Sequence, residues 1–123
     1  MGETHAQLTV TNLFTKSRVH IRALVDTGCA LLTVTEAVAK ELGFDPSEFS
    51  VRRVTLADGR SVEIPTVGPI EIRIKERSCM TEAHVMGDQC LLGFIPLEAL
   101  DLMVDPSGQS LVGRHPGGML HRV

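Results

Sequence analysis

Asp26 follows three apolar residues, Ala23-Leu24-Val25, and precedes Thr27 and Gly28. A carboxylate at the end of such a run is partly withdrawn from water. That position is costly unless the group is hydrogen-bonded or put to use. A carboxylate held this way can do general acid–base work on a water molecule. The competing reading is a plain turn, since Asp and Gly are common turn residues. Three residues by themselves favour the turn, so the surroundings must decide. Two further short elements bear on the choice: Asp58-Gly59 between two alternating runs, and Leu91-Leu92-Gly93 about two-thirds along the chain.

Other chemistries find less support. The three cysteines, Cys29, Cys79 and Cys90, are an odd number with no C-x-x-C pair. That suits reduced thiols in a cytoplasmic chain better than a disulfide framework. Cys79, His84 and Cys90 could be joined as a metal site, but free thiols and a strand-face histidine fit these spacings better. The five histidines form no H-E-x-x-H, and no Gly-rich phosphate loop is present. No cofactor and no metal are expected.

The elements that must position Asp26 are mostly extended. Gln7 to Phe14 and Ser17 to Val25 are rich in Val, Leu, Ile and Thr and read as a hairpin broken at Thr15-Lys16. Leu31 to Val34 continues after the Asp26 segment. Thr35 to Gly43 is the one good helix. Thr35 caps its start, Glu36 and Lys40 complement the dipole, and Gly43 stops it. Val51 to Leu56 and Ser61 to Ile64 flank Asp58-Gly59, a strong hairpin dipeptide. Val67 to Ile74 and Ser78 to Met86 form a further pair around a charged tip. Pro96 to Leu100 makes a single helical turn. Leu102 to Val104 and Gln109 to Val112 flank the turn Asp105-Pro106-Ser107-Gly108. Residues 113–123 contain Pro116, Gly117 and Gly118 and read as a flexible tail.

The 123 residues suit one domain, spanning 1–123. Aromatics are 3% and net charge is −3, which disfavours base stacking and phosphate-backbone binding. Arg60, Arg73, Arg77, Arg114 and Arg122 look scattered rather than striped, so no nucleic acid is expected. No apolar run approaches the roughly 20 residues that span a bilayer, and no secretory signal precedes Gln7, so neither membrane nor export is expected.

Taken together, Ala23-Leu24-Val25-Asp26-Thr27-Gly28-Cys29, Leu32-Thr33-Val34 before a helix, the hairpin at Asp58-Gly59 and Leu91-Leu92-Gly93 resemble the retroviral-type (retropepsin-like) aspartic proteases. Order and spacing fit from Gln7 to Val112. The resemblance implies an all-β fold: a small closed acid-protease barrel with one main α-helix, a flap hairpin and a homodimeric assembly. It implies an aspartic endopeptidase that cleaves peptide or protein substrates. Pepsin-like enzymes carry two Asp-Thr/Ser-Gly segments. This chain has one, so two copies of Asp26 must meet on a two-fold axis. Asp26 is then the catalytic carboxylate. Thr27, Gly28 and Cys29 support its loop, Thr27 by a hydrogen bond across the dimer. Ala57, Asp58, Gly59 and Arg60 form the flap tip over substrate, and Leu91, Leu92 and Gly93 are the strand beneath the Asp26 loop. Two features depart from the family pattern. Cys29 stands where Ala or Ser is usual, and Phe94-Ile95 stand where an Arg followed by Asp or Asn is frequent, which implies a dimer held by apolar packing. A non-catalytic dimerising or binding module on the same fold is the alternative.

Overall fold

The computed structural model describes residues 2–105 and 107–115. Six strands close into a ring. β1 (His5–Asn12) pairs antiparallel with β2 (Arg18–Val25). The end of β2 lies parallel to β7 (Leu91–Leu92), and β7 lies antiparallel to β3 (Leu32–Val34). β3 runs parallel to β6 (Arg77–Val85), which pairs antiparallel with β5 (Ser61–Ile74). β5 returns to β1, where Val10 faces Ile72, and the barrel is closed. β4 (Ser50–Thr55) stands outside the ring and pairs only with the first half of β5.

Alternation fills this barrel. Leu8 and Val10 of β1, Ile21 and Ala23 of β2, and Ile70, Ile72 and Ile74 of β5 all point inward and are buried. Leu32, Val34 and Leu92 add the inner face of the central strands. Each fully buried Leu, Ile or Val contributes about 1.5–3 kcal/mol relative to exposure. The expectation of a mainly β, closed fold is met, with two six-residue α-helices among the described residues where one main helix was expected, the first of them at the expected place.

That helix, α1 (Glu36–Glu41), starts where Thr35 Oγ1 accepts the Val38 N–H at 3.2 Å. It ends at Leu42, and Gly43 follows with φ +87°. Ala39 and Leu42 pin it to the core. A 3-10 turn at Pro46–Glu48, capped by Asp45, leads into β4.

Two boundaries differ from expectation. Ser61–Ile64 and Val67–Ile74 are one strand, not two. Pro65 pairs with Val51, in the hairpin that projects from the ring, and a bulge between Val67 and Ile70 absorbs Gly68-Pro69. The second helix, α2 (Phe94–Ala99), begins two residues before Pro96. Proline costs no hydrogen bond in a first turn, so Pro96 does not mark the start.

β8 (Leu102–Asp105) and β9 (Ser110–Gly113) form a separate hairpin behind α2. Of the segment read as a tail, Gly113 pairs with Leu102 and the Arg114 N–H donates to the Asp101 carbonyl at 2.8 Å. Residues 116–123 lie outside the described residues.

Candidate active site

The Asp26 loop hangs between two strands that the sequence places far apart. β2 delivers Asp26, whose N–H donates to the Leu92 carbonyl of β7 at 2.9 Å. The chain then folds back, with the Cys29 N–H on the Asp26 carbonyl at 3.0 Å. Residues 93–95 cross directly beneath. Gly93, Phe94 and Ile95 donate their N–H groups to Leu31, Cys29 and Ala30 at 3.0, 3.0 and 2.9 Å. The backbone of the loop is thus fixed from one side by a continuous row of bonds.

Gly93 lets the crossing happen. A Cβ there would lie 2.4 Å from the Leu31 carbonyl oxygen and 2.6 Å from that of Cys29. These are backbone atoms held on both sides, so neither can yield. A Cβ on Gly28 would lie 3.2 Å from Asp26 Oδ1. That is tight, and it is the room the carboxylate needs for its backbone donor.

Both oxygens of Asp26 are engaged. Oδ1 accepts the Gly28 N–H at 3.0 Å, and Oδ2 accepts the Cys29 thiol at 3.4 Å. Burial, reinforced by the Asp26 carboxylate, pushes the Cys29 thiol above its ordinary range. Cys29 therefore stays protonated and donates at neutral pH. Asp26 and Cys29 are half-buried, while Thr27 and Gly28 are exposed. Thr27 has no hydrogen-bonding partner among the described residues of its own chain. Phe94 and Ile95, one turn below, are each 42% exposed and extend this face with apolar surface.

Asp58, Gly59 and Arg60 sit at the tip of the β4–β5 hairpin with Ala57, and all four are exposed. Gly59, at φ +88°, supplies the turn, and its N–H donates to the Leu56 carbonyl at 2.9 Å. Asp58 accepts the Arg60 N–H at 3.0 Å and the Arg60 Nε at 2.6 Å, and the backbone bond first holds its carboxyl below the usual range. Asp58 and Arg60 are thus paired to one another. One face of the hairpin is exposed and the other, with Val54, Val62 and Ile64, is half-buried, and the Arg52 guanidinium anchors it to β6 through a two-pronged pair with Glu82 at 2.7 and 3.3 Å.

Among the described residues no group of three His, Cys, Asp or Glu side chains could hold a metal ion, and Cys79, His84 and Cys90 are not brought together as one. Sequence reasoning did not reach Leu31 and Ala30, whose carbonyls receive the crossing strand. Their signal is a backbone oxygen, which every residue type offers.

Comparison with known proteins agrees with this geometry. A family model described as aspartyl protease matches residues 7–95, the stretch that holds the Asp26 loop, the hairpin and the Gly93 crossing. Among solved structures, a retropepsin-like aspartic protease from Rickettsia conorii is similar, with a TM-score of 0.63 and 24% identity over 85% of this chain and 77% of that one. No curated protein matches. The chain belongs to the aspartyl protease family and has the retropepsin-like fold.

Proposed function

We propose that this protein is an aspartic endopeptidase that works as a homodimer, with two copies of Asp26 flanking one water. One carboxylate takes a proton from the water as its oxygen attacks the scissile carbonyl carbon. The other, protonated, gives its proton to the carbonyl oxygen. A proton then passes to the amide nitrogen and the C–N bond breaks. Carboxylates this close cannot both ionise, so the pair shares one proton, as aspartic-protease dyads do. The reaction consumes water and needs no cofactor.

The observation that carries this reading is the Asp26 carboxylate itself. It is presented at an exposed loop, yet held on both oxygens by Gly28 and Cys29. In this reading Thr27, exposed and unpartnered, bonds to its counterpart loop. Phe94 and Ile95 supply apolar contact between subunits. The hairpin tip from Ala57 to Arg60 closes over the substrate and excludes water. The three free thiols support a reducing, cytoplasmic setting. No helix among the described residues is long and apolar enough to cross a membrane.

The test is Asp26→Asn, assayed with a mixed peptide library from acidic to neutral pH. The isosteric amide keeps the loop but removes base and acid. Cleavage should fall by about 10³-fold or more, within the range general acid–base groups contribute. Equal cleavage by both proteins, or none by either, overturns the reading. A stable dimer without cleavage would point instead to a non-catalytic dimerising module.

A further inference from the structure

The outward face of β2, β1 and β5 carries a concentration of positive charge that the linear sequence conceals. Alternation sends Leu8, Val10, Ile21, Ala23, Ile72 and Ile74 inward. It therefore sends Arg18, His20 and Arg22 of β2 and Arg73 of β5 outward, and all are exposed. Register aligns them across the central strand: Thr9 faces both His20 and Arg73, Thr11 faces both Arg18 and Glu71, and Gln7 faces Arg22. Lys75, just past the end of β5, joins Gln7, Leu8, Thr9, His20 and Arg73 around a cleft of about 420 Å³.

The charge on this face is unbalanced. β1 contributes Gln7, Thr9 and Thr11, hydrogen-bonding groups without a carboxylate. Glu71 is the acid in the array, and it pairs with Arg73 at 3.6 Å. Arg18, Arg22 and Lys75 form no ion pair with any described residue. A molecule of net charge −3 therefore gathers four formal cations around one carboxylate. Met80, 75% exposed and opposite Glu71 on β6, borders the face with apolar surface.

We propose that this face is a docking surface for an acidic segment of a polypeptide. Strand spacing sets His20 and Arg73 roughly 10 Å apart, and Arg18 and Arg22 roughly 13 Å apart along β2. Alternate side chains of an extended acidic segment repeat every ~7 Å and can meet successive cations while its backbone bonds to Thr and Gln. A nucleic acid fits less well. The face holds no aromatic side chain for base stacking, and the net charge of −3 repels a long polyanion. The inference is independent of the chemistry at Asp26.

The full chain carrying Asp26→Asn is used for the test, so that no peptide is consumed. A short fluorescent Asp/Glu-rich peptide and a single-stranded DNA oligonucleotide of equal charge are titrated by fluorescence polarisation at low and moderate salt. The peptide should bind saturably, more tightly than the oligonucleotide, and more weakly as salt rises, because exposed charges are screened. The combination Arg18→Gln, Arg22→Gln, Arg73→Gln and Lys75→Gln should lower its affinity at least about tenfold, since each exposed pair contributes up to about fivefold. A protein with Arg18→Lys, Arg22→Lys and Arg73→Lys keeps the charge and should keep most of the binding. Should the fourfold variant lose its fold by circular dichroism, the pairs Arg18→Gln/Arg22→Gln and Arg73→Gln/Lys75→Gln are read instead, each with a loss of about threefold or more. No saturable peptide binding at low salt, equal binding by folded neutralised protein, or tighter binding of the oligonucleotide each overturns the proposal.

Discussion

A methyl group on Gly93 would collide with the carbonyl oxygens of Leu31 and Cys29 at 2.4 and 2.6 Å. Gly93→Ala must therefore part β7 from the Asp26 loop. Urea denaturation should show a loss of about 1–3 kcal/mol or more, the usual cost of overpacking. Cleavage should fall more than stability does, because the displaced atoms are the ones that hold Asp26. Unchanged stability would mean that the crossing is looser than its distances state. The need for a glycine here was legible in the sequence, but the atoms it avoids were not. They lie some sixty residues away, and the insertion of β7 between β2 and β3, antiparallel to β3, brings them together. Asp26 itself was legible only with its surroundings, since Asp-Thr-Gly alone reads as a turn and the later Leu91-Leu92-Gly93 tips the balance. The contact from Cys29 was not, since a thiol after Asp-Thr-Gly could equally have pointed into the core.

His84 extends the residue scale to pH. It sits on β6 between Thr33 and Thr66, and burial holds its pKa below the ordinary 6.5. The folded chain thus resists protonation that the unfolded chain accepts. Its contribution to stability is complete above about pH 6.5 and is lost as pH falls toward the lowered folded value. Asp45, Asp58 and Asp101, all held below the usual carboxylate range, act in the same direction at more acidic pH. His84→Asn should reduce the drop in thermal midpoint between neutral pH and about pH 5. An identical drop in both proteins would remove His84 from the account.

Among the elements, the turn between β1 and β2 depends on one buried polar side chain. Asn12 is 2% exposed. Its amide donates to the Leu42 carbonyl at 2.8 Å, and its Oδ1 accepts the Phe14 N–H at 2.9 Å. It joins the β1–β2 turn to the end of α1. Asn12→Ala removes a buried bond to the Leu42 carbonyl and part-buried ones to the Phe14 and Thr15 N–H groups, and should cost about 1–3 kcal/mol, measured by denaturant titration. A loss below a few tenths would show that water replaces the amide. Nothing in the sequence marks Asn12, because asparagine beside a turn is ordinary. The strands and α1 were legible because alternation and capping are local. β5 was misread as two strands because Pro65 and Pro69 are local breakers, and their tolerance depends on a projecting hairpin and a bulge that only the sheet defines. The basic face escaped notice for a related reason. Arg18, His20 and Arg22 share one strand face, but Arg73 and Lys75 lie some fifty residues on, and only the register of β1 with both β2 and β5 sets Arg73 beside them.

At the scale of the molecule, these 123 residues hold a single Asp-Thr-Gly, which in the proposed reading supplies one of the two carboxylates. Its exposed Thr27 and Gly28, with Phe94 and Ile95 each 42% exposed beside them, form a face that a second copy can cover symmetrically. A shared site has a consequence that a self-contained one lacks. When wild-type chains are mixed with equal Asp26→Asn chains and allowed to exchange, random pairing leaves about one quarter of the dimers with two intact carboxylates. Cleavage should then fall to about half that of the same wild-type amount alone, and further excess of Asp26→Asn should drive it toward zero. Unequal chains cannot rescue one another, because an amide opposite a carboxylate cannot exchange the roles of acid and base. Dilution gives the complementary reading, with specific activity falling as dimers dissociate. Activity that ignores both the added Asp26→Asn chains and dilution would place the whole catalytic apparatus within one chain and end the shared-site account.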